Sequence, residues 1–83
     1  MNGETVAVEN LYAGDQIHTG PHKVYGRVVG SENDAGVTGV ECIGELVTVF
    51  WRSLRASATQ TGALVYERGQ KVLRTRRHMK AAA

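Results

Sequence analysis

The segment from Leu46 to Arg52, LVTVFWR, constrains the fold of this 83-residue chain more than any other. β-Branched and aromatic residues fill it, and both kinds of residue favour strands. Alternation along a strand places Val47, Val49 and Trp51 on one face and the intervening residues on the other. Because the second face carries Phe50, we expect a strand with apolar side chains on both faces.

The Gly44-Glu45 pair just before this strand is typical of a two-residue hairpin loop with glycine first. Residues 37–43 are therefore expected to pair antiparallel with the strand, and a slip of one residue would turn the apolar side chains to the wrong face. The expected register opposes four pairs of residues: Thr38 and Trp51, Gly39 and Phe50, Val40 and Val49, and Cys42 and Val47. The predicted core includes one face of this hairpin: Val40, Cys42, Val47, Val49 and Trp51.

The chain is long enough for one domain with a small core. We assign residues 1–80 to a single β-domain with a flexible basic C-terminal end, and the three alanines at 81–83 to a remnant of cloning. No stretch has the length and apolarity of a membrane span, and no signal peptide is visible. Since the lone Cys42 also fits a reducing compartment, we expect a cytoplasmic protein without a membrane partner.

The turn at residues 10–17 follows a first strand at residues 5–9 and is well specified. Leu11 and Ile17 are expected in the core, Gly14 supplies a positive φ, and Asp15 caps the turn. Residues 24–29 then predict another strand, with a bulge or bend at Gly26.

Three further segments complete the predicted chain path. Residues 31–36 are polar and predict a connection, and residues 53–62 predict an exposed loop with one helical turn near Leu54. Residues 63–67 and 70–76 predict a last hairpin. Its register stays open, because a two-residue loop pairs Leu64 with Leu73 whereas a three-residue loop pairs Leu64 with Val72.

Ten glycines, a single proline and the absence of a convincing amphipathic helix favour short strands joined by tight turns. Strands at this spacing predict an all-β fold, either a small antiparallel barrel or a strongly bent sheet of five to seven short strands. Closure into a barrel would remove the exposed strand edges.

Four motifs occur in a recognisable order along the chain. They are L-x-x-G-D-x-I at 11–17, V-x-x-R-V at 24–28, VTV with an aromatic at 47–50, and VLRTRR at 72–77. In this order the chain resembles small SH3-like β-barrel proteins of actinobacteria and their phages. The resemblance covers residues 5–77 and implies an SH3-like barrel, located in the host cytoplasm if a phage encodes it. It implies no activity and no functional residues.

The residues that could carry chemistry are poorly placed for it. His18 and His22 flank a Gly-Pro turn without the rigid spacing of metal ligands, so we expect no metal site. Cys42 has no histidine base in a defined relation to it, and Glu32 and Asp34 lie in a polar turn. We therefore expect no enzyme activity, no cofactor and no small-molecule substrate.

Charge is distributed unevenly along the chain. Residues 1–45 carry a net charge of −5 and residues 46–83 a net charge of +7, within a total of +2. This asymmetry favours binding of DNA or RNA by the basic half, although the halves could also neutralise each other across the sheet. The candidate nucleic-acid-binding residues are led by Arg74, Arg76 and Arg77 and supported by Lys71, Lys80, Arg52 and Arg55. Stacking of bases could come from an exposed Tyr25, Phe50 or Tyr66.

A second functional hypothesis rests on the two-sided apolar pattern of Leu46 to Arg52. With Ile43 opposite Leu46, the second face holds more apolar surface than a single small core buries. The alternative to nucleic-acid binding is therefore a protein-protein interaction module or a homodimer that uses this face.

Overall fold

The computed structural model describes residues 3–54 and 60–77. In chain order these residues form β1 (Glu4–Ala7), a short 3-10 helix (Val8–Asn10), β2 (Gln16–Thr19), β3 (His22–Val24), β4 (Arg27–Val29), β5 (Asn33–Ile43), β6 (Leu46–Ser53), β7 (Thr61–Glu67) and β8 (Lys71–Arg76). No helix in these two ranges is long and apolar enough to cross a membrane.

Six of the strands form one antiparallel sheet in the order β1-β8-β2-β5-β6-β7, and β3 pairs with β4 in a separate hairpin. The predicted all-β antiparallel fold is confirmed, with eight strands rather than five to seven. Within residues 3–54 and 60–77 no ladder joins β1 to β7, so the sheet does not close into a barrel. The sheet nevertheless bends around one core, because Tyr66 of β7 and Val72 of β8 belong to the same buried cluster.

The central hairpin of β5 and β6 follows the predicted register from its loop as far as Gly39 and Phe50. Beyond this point a bulge between Val37 and Gly39 makes Val37, and not Thr38, the partner of Trp51. The predicted pair of Thr38 and Trp51 is therefore wrong. A bulge leaves one residue unpaired, and here it leaves Thr38 exposed while Val37 enters the core.

The predicted core is correct in its centre and wrong at its end. Val47 and Val49 are fully buried, and Val40 and Trp51 pack partly buried against them. Cys42, in contrast, is exposed. Val47 lies between β5 and β7, whereas Cys42 lies on a part of β5 that has only β6 beside it, because β2 pairs with β5 only from Asn33 to Gly36.

The turn at residues 10–17 forms as predicted. Leu11 and Ile17 are buried, and Gly14 has a φ of 100°, in the region that favours glycine. The Tyr12 N–H donates a hydrogen bond of 2.9 Å to the Asp15 carboxylate. The first strand is shorter than predicted, since β1 ends at Ala7 and the 3-10 helix starts at Val8.

Two predicted segments differ from the structure. The single strand expected at residues 24–29 is a hairpin, because Tyr25 and Gly26 both have positive φ, 50° and 78°, and reverse the chain between β3 and β4. The connection expected at residues 31–36 is mostly strand, since β5 begins at Asn33 and pairs with β2.

The loop prediction at 53–62 falls partly on residues 55–59, which lie outside the described residues; Leu54 carries no helix.

The predicted hairpin between residues 63–67 and 70–76 is wrong in both proposed registers. β7 pairs with β6, with Leu64 opposite Val49, and β8 lies between β1 and β2. A turn at Gly69, with a φ of 91°, sends the chain from one edge of the sheet to the other side of the core. The crossing gives β8 hydrogen-bonding partners on both of its edges and buries Val72.

Trp51 packs against Gly62, its partner on β7, more closely than any larger residue would permit. A Cβ atom at Gly62 would lie 2.6 Å from Trp51 Cζ2, whereas a Cβ atom at Gly20 would have no neighbour within 4 Å. We therefore expect Gly62→Ala to lower the free energy of unfolding by about 1–3 kcal/mol through overpacking. Gly20→Ala should change it by less than about 0.5 kcal/mol. Urea unfolding of both variants checks this, and equal midpoints for the two would contradict the packing described.

Candidate protein-interaction face

Arg74, the leading candidate for phosphate contact, faces the interior of the protein. Only 7% of it is exposed. Its Nη2 donates to Glu4 Oε1 at 2.6 Å, and its Nη1 lies 3.6 Å from Oδ2 of the fully buried Asp15. The hydrogen bond to Glu4, with the nearby Asp15 charge, raises the pKa of the guanidinium above its usual value. Arg74 is thus a structural cation that has no free group for a phosphate on the surface.

The other basic candidates that the structure describes are exposed but do not form one stripe. Arg76 and Arg77 lie at the end of β8, and Lys71 lies at its start, about 17 Å away at the usual rise per residue. Arg52 lies on β6, which β2 and β5 separate from β8 by about 14 Å. Arg55 and Lys80 fall outside the described residues. Nucleic-acid binding stays a prediction, and the adjacent pair of Arg76 and Arg77 is its best-placed part.

Three of the exposed large apolar residues, Ile43, Phe50 and Val65, lie on the outer face of β5, β6 and β7, on the side of the sheet away from the core. Cross-strand pairing places one residue of each strand side by side on this face, and we call each such set a row. From the loop end of the hairpin, the rows are Ile43, Leu46 and Glu67; Glu41, Thr48 and Val65; Gly39, Phe50 and Ala63; and Gly36, Arg52 and Thr61. We call this surface the outer face.

Several side chains of the outer face are apolar and accessible. Phe50 is 40% exposed, Val65 37% and Ile43 67%. Gly39 lies under the Phe50 ring, 3.7 Å from Phe50 Cδ2 to the position that a Cβ atom would take. The outer face of an antiparallel sheet is commonly polar when it meets water. An apolar strip at the centre of β6 is therefore a candidate docking surface.

Charged residues of the outer face lie on both sides of Phe50 along the strands. Glu67 and Glu41 lie in the first and second rows from the hairpin loop, and Arg52 lies in the row farthest from the loop. The Arg68 guanidinium also reaches the loop end, where it donates to the Gly44 carbonyl at 2.9 Å and 3.1 Å. The strip thus has an apolar centre and a polar rim, which is the usual arrangement of a protein-protein interface.

A second polar feature, a small cluster around His18, has no counterpart among the sequence predictions. His18 Nδ1 lies 2.8 Å from Asp34 Oδ1, and its Nε2 lies 3.1 Å from Glu32 Oε1. The hydrogen bond with Asp34, then that with Glu32, raises the pKa of His18 above its ordinary value of 6.5. The two carboxylates, expected to be ordinary residues of a polar turn, instead border an open depression with Asn33 and Leu54. Only the pairing of β2 with β5, which opposes His18 and Asp34, could have revealed this cluster.

His22 has a structural role. Its ring stacks on Tyr66 with centroids 4.0 Å apart, and its Nε2 donates to the Val65 carbonyl at 2.8 Å. It thereby ties the β3–β4 hairpin to the edge of β7. Burial raises the pKa of Tyr66 to about 12 and leaves its ring no surface for a nucleic-acid base. No three His, Cys, Asp or Glu side chains in the described part of the chain are grouped to hold a metal ion.

Comparison of the chain with known protein families, with curated protein sequences and with solved structures finds no match. The resemblance to actinobacterial and phage barrel proteins therefore stays a prediction. The geometry of this chain's own residues carries the functional argument.

The structural role of Arg74 can be separated from a binding role by comparison with Arg76 on the same strand. Arg74→Ala should lower the free energy of unfolding by about 3 kcal/mol, because it leaves the buried Asp15 carboxylate without its cation. Arg76→Ala, at an exposed position, should change it by less than about 0.5 kcal/mol. Chemical denaturation measures both values. An Arg74→Ala protein as stable as Arg76→Ala would show that the guanidinium is not part of the interior.

Proposed function

We propose that this chain is a non-enzymatic interaction module that associates with a second copy of itself through the outer face. The observation that carries the proposal is the exposure of Phe50 and Val65, 40% and 37%, on adjacent strands of a well-paired sheet. Burial of apolar surface is the main driving force for association. Aromatic side chains near the centre of a face are the residues that most often dominate binding energy.

A second copy is the partner that the charges of the outer face suit best. Glu41 and Glu67 lie at one end of the strip and Arg52 lies towards the other. Two outer faces can stack on each other about a two-fold axis that lies between them and is perpendicular to β6. In this arrangement the two copies of β6 are antiparallel. Arg52 of each copy then approaches the acidic end of the other. Opposite charges placed in this way orient the partners.

The size of the outer face sets the expected strength of association. Three strands and seven residues of β6 cover a flat area of about 300 Å². This is well below the roughly 800 Å² that each partner contributes to a standard stable interface. We therefore expect a weak dimer, with a dissociation constant on the order of 10–100 µM, rather than a permanent one.

Sedimentation equilibrium on the full chain over a micromolar to millimolar concentration series tests self-association. The unaltered protein should show a monomer-dimer equilibrium, and Phe50→Ser with Val65→Ser should weaken it at least tenfold. The matched control is Val28→Ser, which removes an apolar side chain of 63% exposure from β4, away from the outer face.

Two results would contradict the proposal. One is a protein that stays monomeric throughout the series. The other is a dimer that Val28→Ser weakens as much as the Phe50 and Val65 changes do. Circular dichroism of each variant confirms that the sheet is retained, so that a loss of association is not mistaken for unfolding.

Nucleic-acid binding is the second candidate function, and the exposed neighbours Arg76 and Arg77 favour it. Two or three phosphate contacts would give weak, sequence-tolerant affinity that falls as salt rises. We expect Arg76→Ala with Arg77→Ala to abolish salt-sensitive binding of a labelled DNA or RNA, while Arg52→Ala leaves it unchanged. Fluorescence anisotropy at two salt concentrations decides the matter: no binding by the unaltered protein at low salt excludes this function.

A further inference from the structure

The connection from β4 to β5 is held to β2 by a side-chain cluster that requires a proton. We call the cluster of His18, Glu32 and Asp34 the His18 clamp. Both ring nitrogens of His18 face carboxylate oxygens, Nδ1 at 2.8 Å and Nε2 at 3.1 Å. A carboxylate only accepts hydrogen bonds, so both contacts form together only when both nitrogens carry a proton. The distances in the clamp therefore fit the imidazolium form of His18.

We propose that the His18 clamp is a proton-dependent latch, in which deprotonation of His18 releases Glu32 and loosens the connection before β5. Neutral imidazole keeps one N–H and turns a lone pair towards the other carboxylate, which is repelled. Glu32 is the carboxylate expected to leave. Its contact is the longer one, and it precedes β5, whereas Asp34 lies within β5 directly opposite His18.

Among residues 3–54 and 60–77, Asp34 and Glu32 are the charged groups that shift the titration of His18. On β5 and the segment before it, the groups that face His18 are Asp34 and Glu32. On β8 its cross-strand partner is the apolar Leu73, and Arg74 is engaged by Glu4 and Asp15. From β6, Leu54 borders the same depression. Among the described residues, the two carboxylates thus dominate the titration of His18.

A second contact to the same connection does not depend on pH. The hydroxyl of the buried Thr19 donates to the carbonyls of Ser31 and Asn33, at 3.0 Å and 3.3 Å. The latch therefore acts on a segment that stays attached at one point. Release of Glu32 should open the depression beside Leu54 without separating β2 from β5.

The direction of the pH effect follows from the raised pKa of His18. Protonated His18 binds its carboxylates in the folded protein, so the stabilisation is complete below the ordinary pKa of 6.5. It is lost as the pH rises through the higher pKa of the folded state. The connection should therefore be tighter at acidic pH and looser at alkaline pH. An ion pair that is controlled by the titration of its carboxylate behaves in the opposite way, because it is lost at acidic pH.

NMR titration of the full chain tests the latch through the imidazole signals of His18 and the hydrogen-exchange protection factor of Asn33, the first residue of β5 and the cross-strand partner of Thr19. We expect a His18 pKa above 6.5 that falls in Glu32→Gln and in Asp34→Asn. Protection should drop several-fold as His18 deprotonates. His18→Gln should remove this pH dependence, and Thr19→Val, as the matched control, should lower protection equally at every pH.

Three outcomes would overturn the latch: a His18 pKa at or below 6.5, a His18 pKa unchanged by Glu32→Gln, or a pH-dependent loss of protection that persists in His18→Gln. Protection at Ile17 and Ala35, measured in the same samples, shows whether β2 and β5 remain paired. The result is independent of self-association when the protein is dilute.

Discussion

The contact between Arg74 and Asp15 is the interaction on which the arrangement of the sheet depends. Asp15 lies in the turn at residues 10–17. Its backbone connects that turn to β5, since the Val37 N–H donates to the Asp15 carbonyl at 2.8 Å. Arg74 lies in β8, between β1 and β2, and binds Glu4 of β1 as well. One guanidinium therefore joins the first strand, the turn and the last strand, which lie far apart in the sequence.

The burial of Arg74 also changes how the charge asymmetry of the chain is understood. The acidic first half and the basic second half meet at Arg74, which contacts the buried Asp15 on one side and the exposed Glu4 on the other. Because Arg74 is engaged in these contacts, it does not contribute to a basic surface stripe that could bind a polyanion. What remains at the end of β8 is the exposed pair of Arg76 and Arg77, while the outer face of β5, β6 and β7 exposes Ile43, Phe50 and Val65.

The parts of the fold that depend on neighbouring residues were predictable from the sequence. The β5–β6 hairpin needs only a two-residue loop and alternation, and it has the predicted register as far as Gly39 and Phe50. The turn at residues 10–17 needs Gly14 and Asp15 and formed as expected. The placement of β8 was not predictable in this way. Its partners β1 and β2 are distant in sequence, and alternation alone does not reveal which strands pair.

The candidate site was partly predictable as well. The two-sided apolar pattern of β6 correctly indicated an outer face with exposed apolar residues. The interior position of Arg74 had one available signal: Arg74 lies two residues after Val72 and so shares the strand face of an apolar residue that is buried. The contacts of Arg74 with its acidic partners, and the contact of His18 with Asp34, could be predicted only from the pairing of strands that are distant in the sequence.

The most direct test of the account is a concentration series of amide chemical shifts for the isotope-labelled chain. If the outer face mediates self-association, the shifts that change with concentration should centre on Thr48, Phe50 and Val65, with residues of β1 and β8, at the other end of the sheet, unaffected. Shifts that do not change up to millimolar concentration, or that change chiefly around Arg76 and Arg77, would contradict the claim that the outer face is the docking surface.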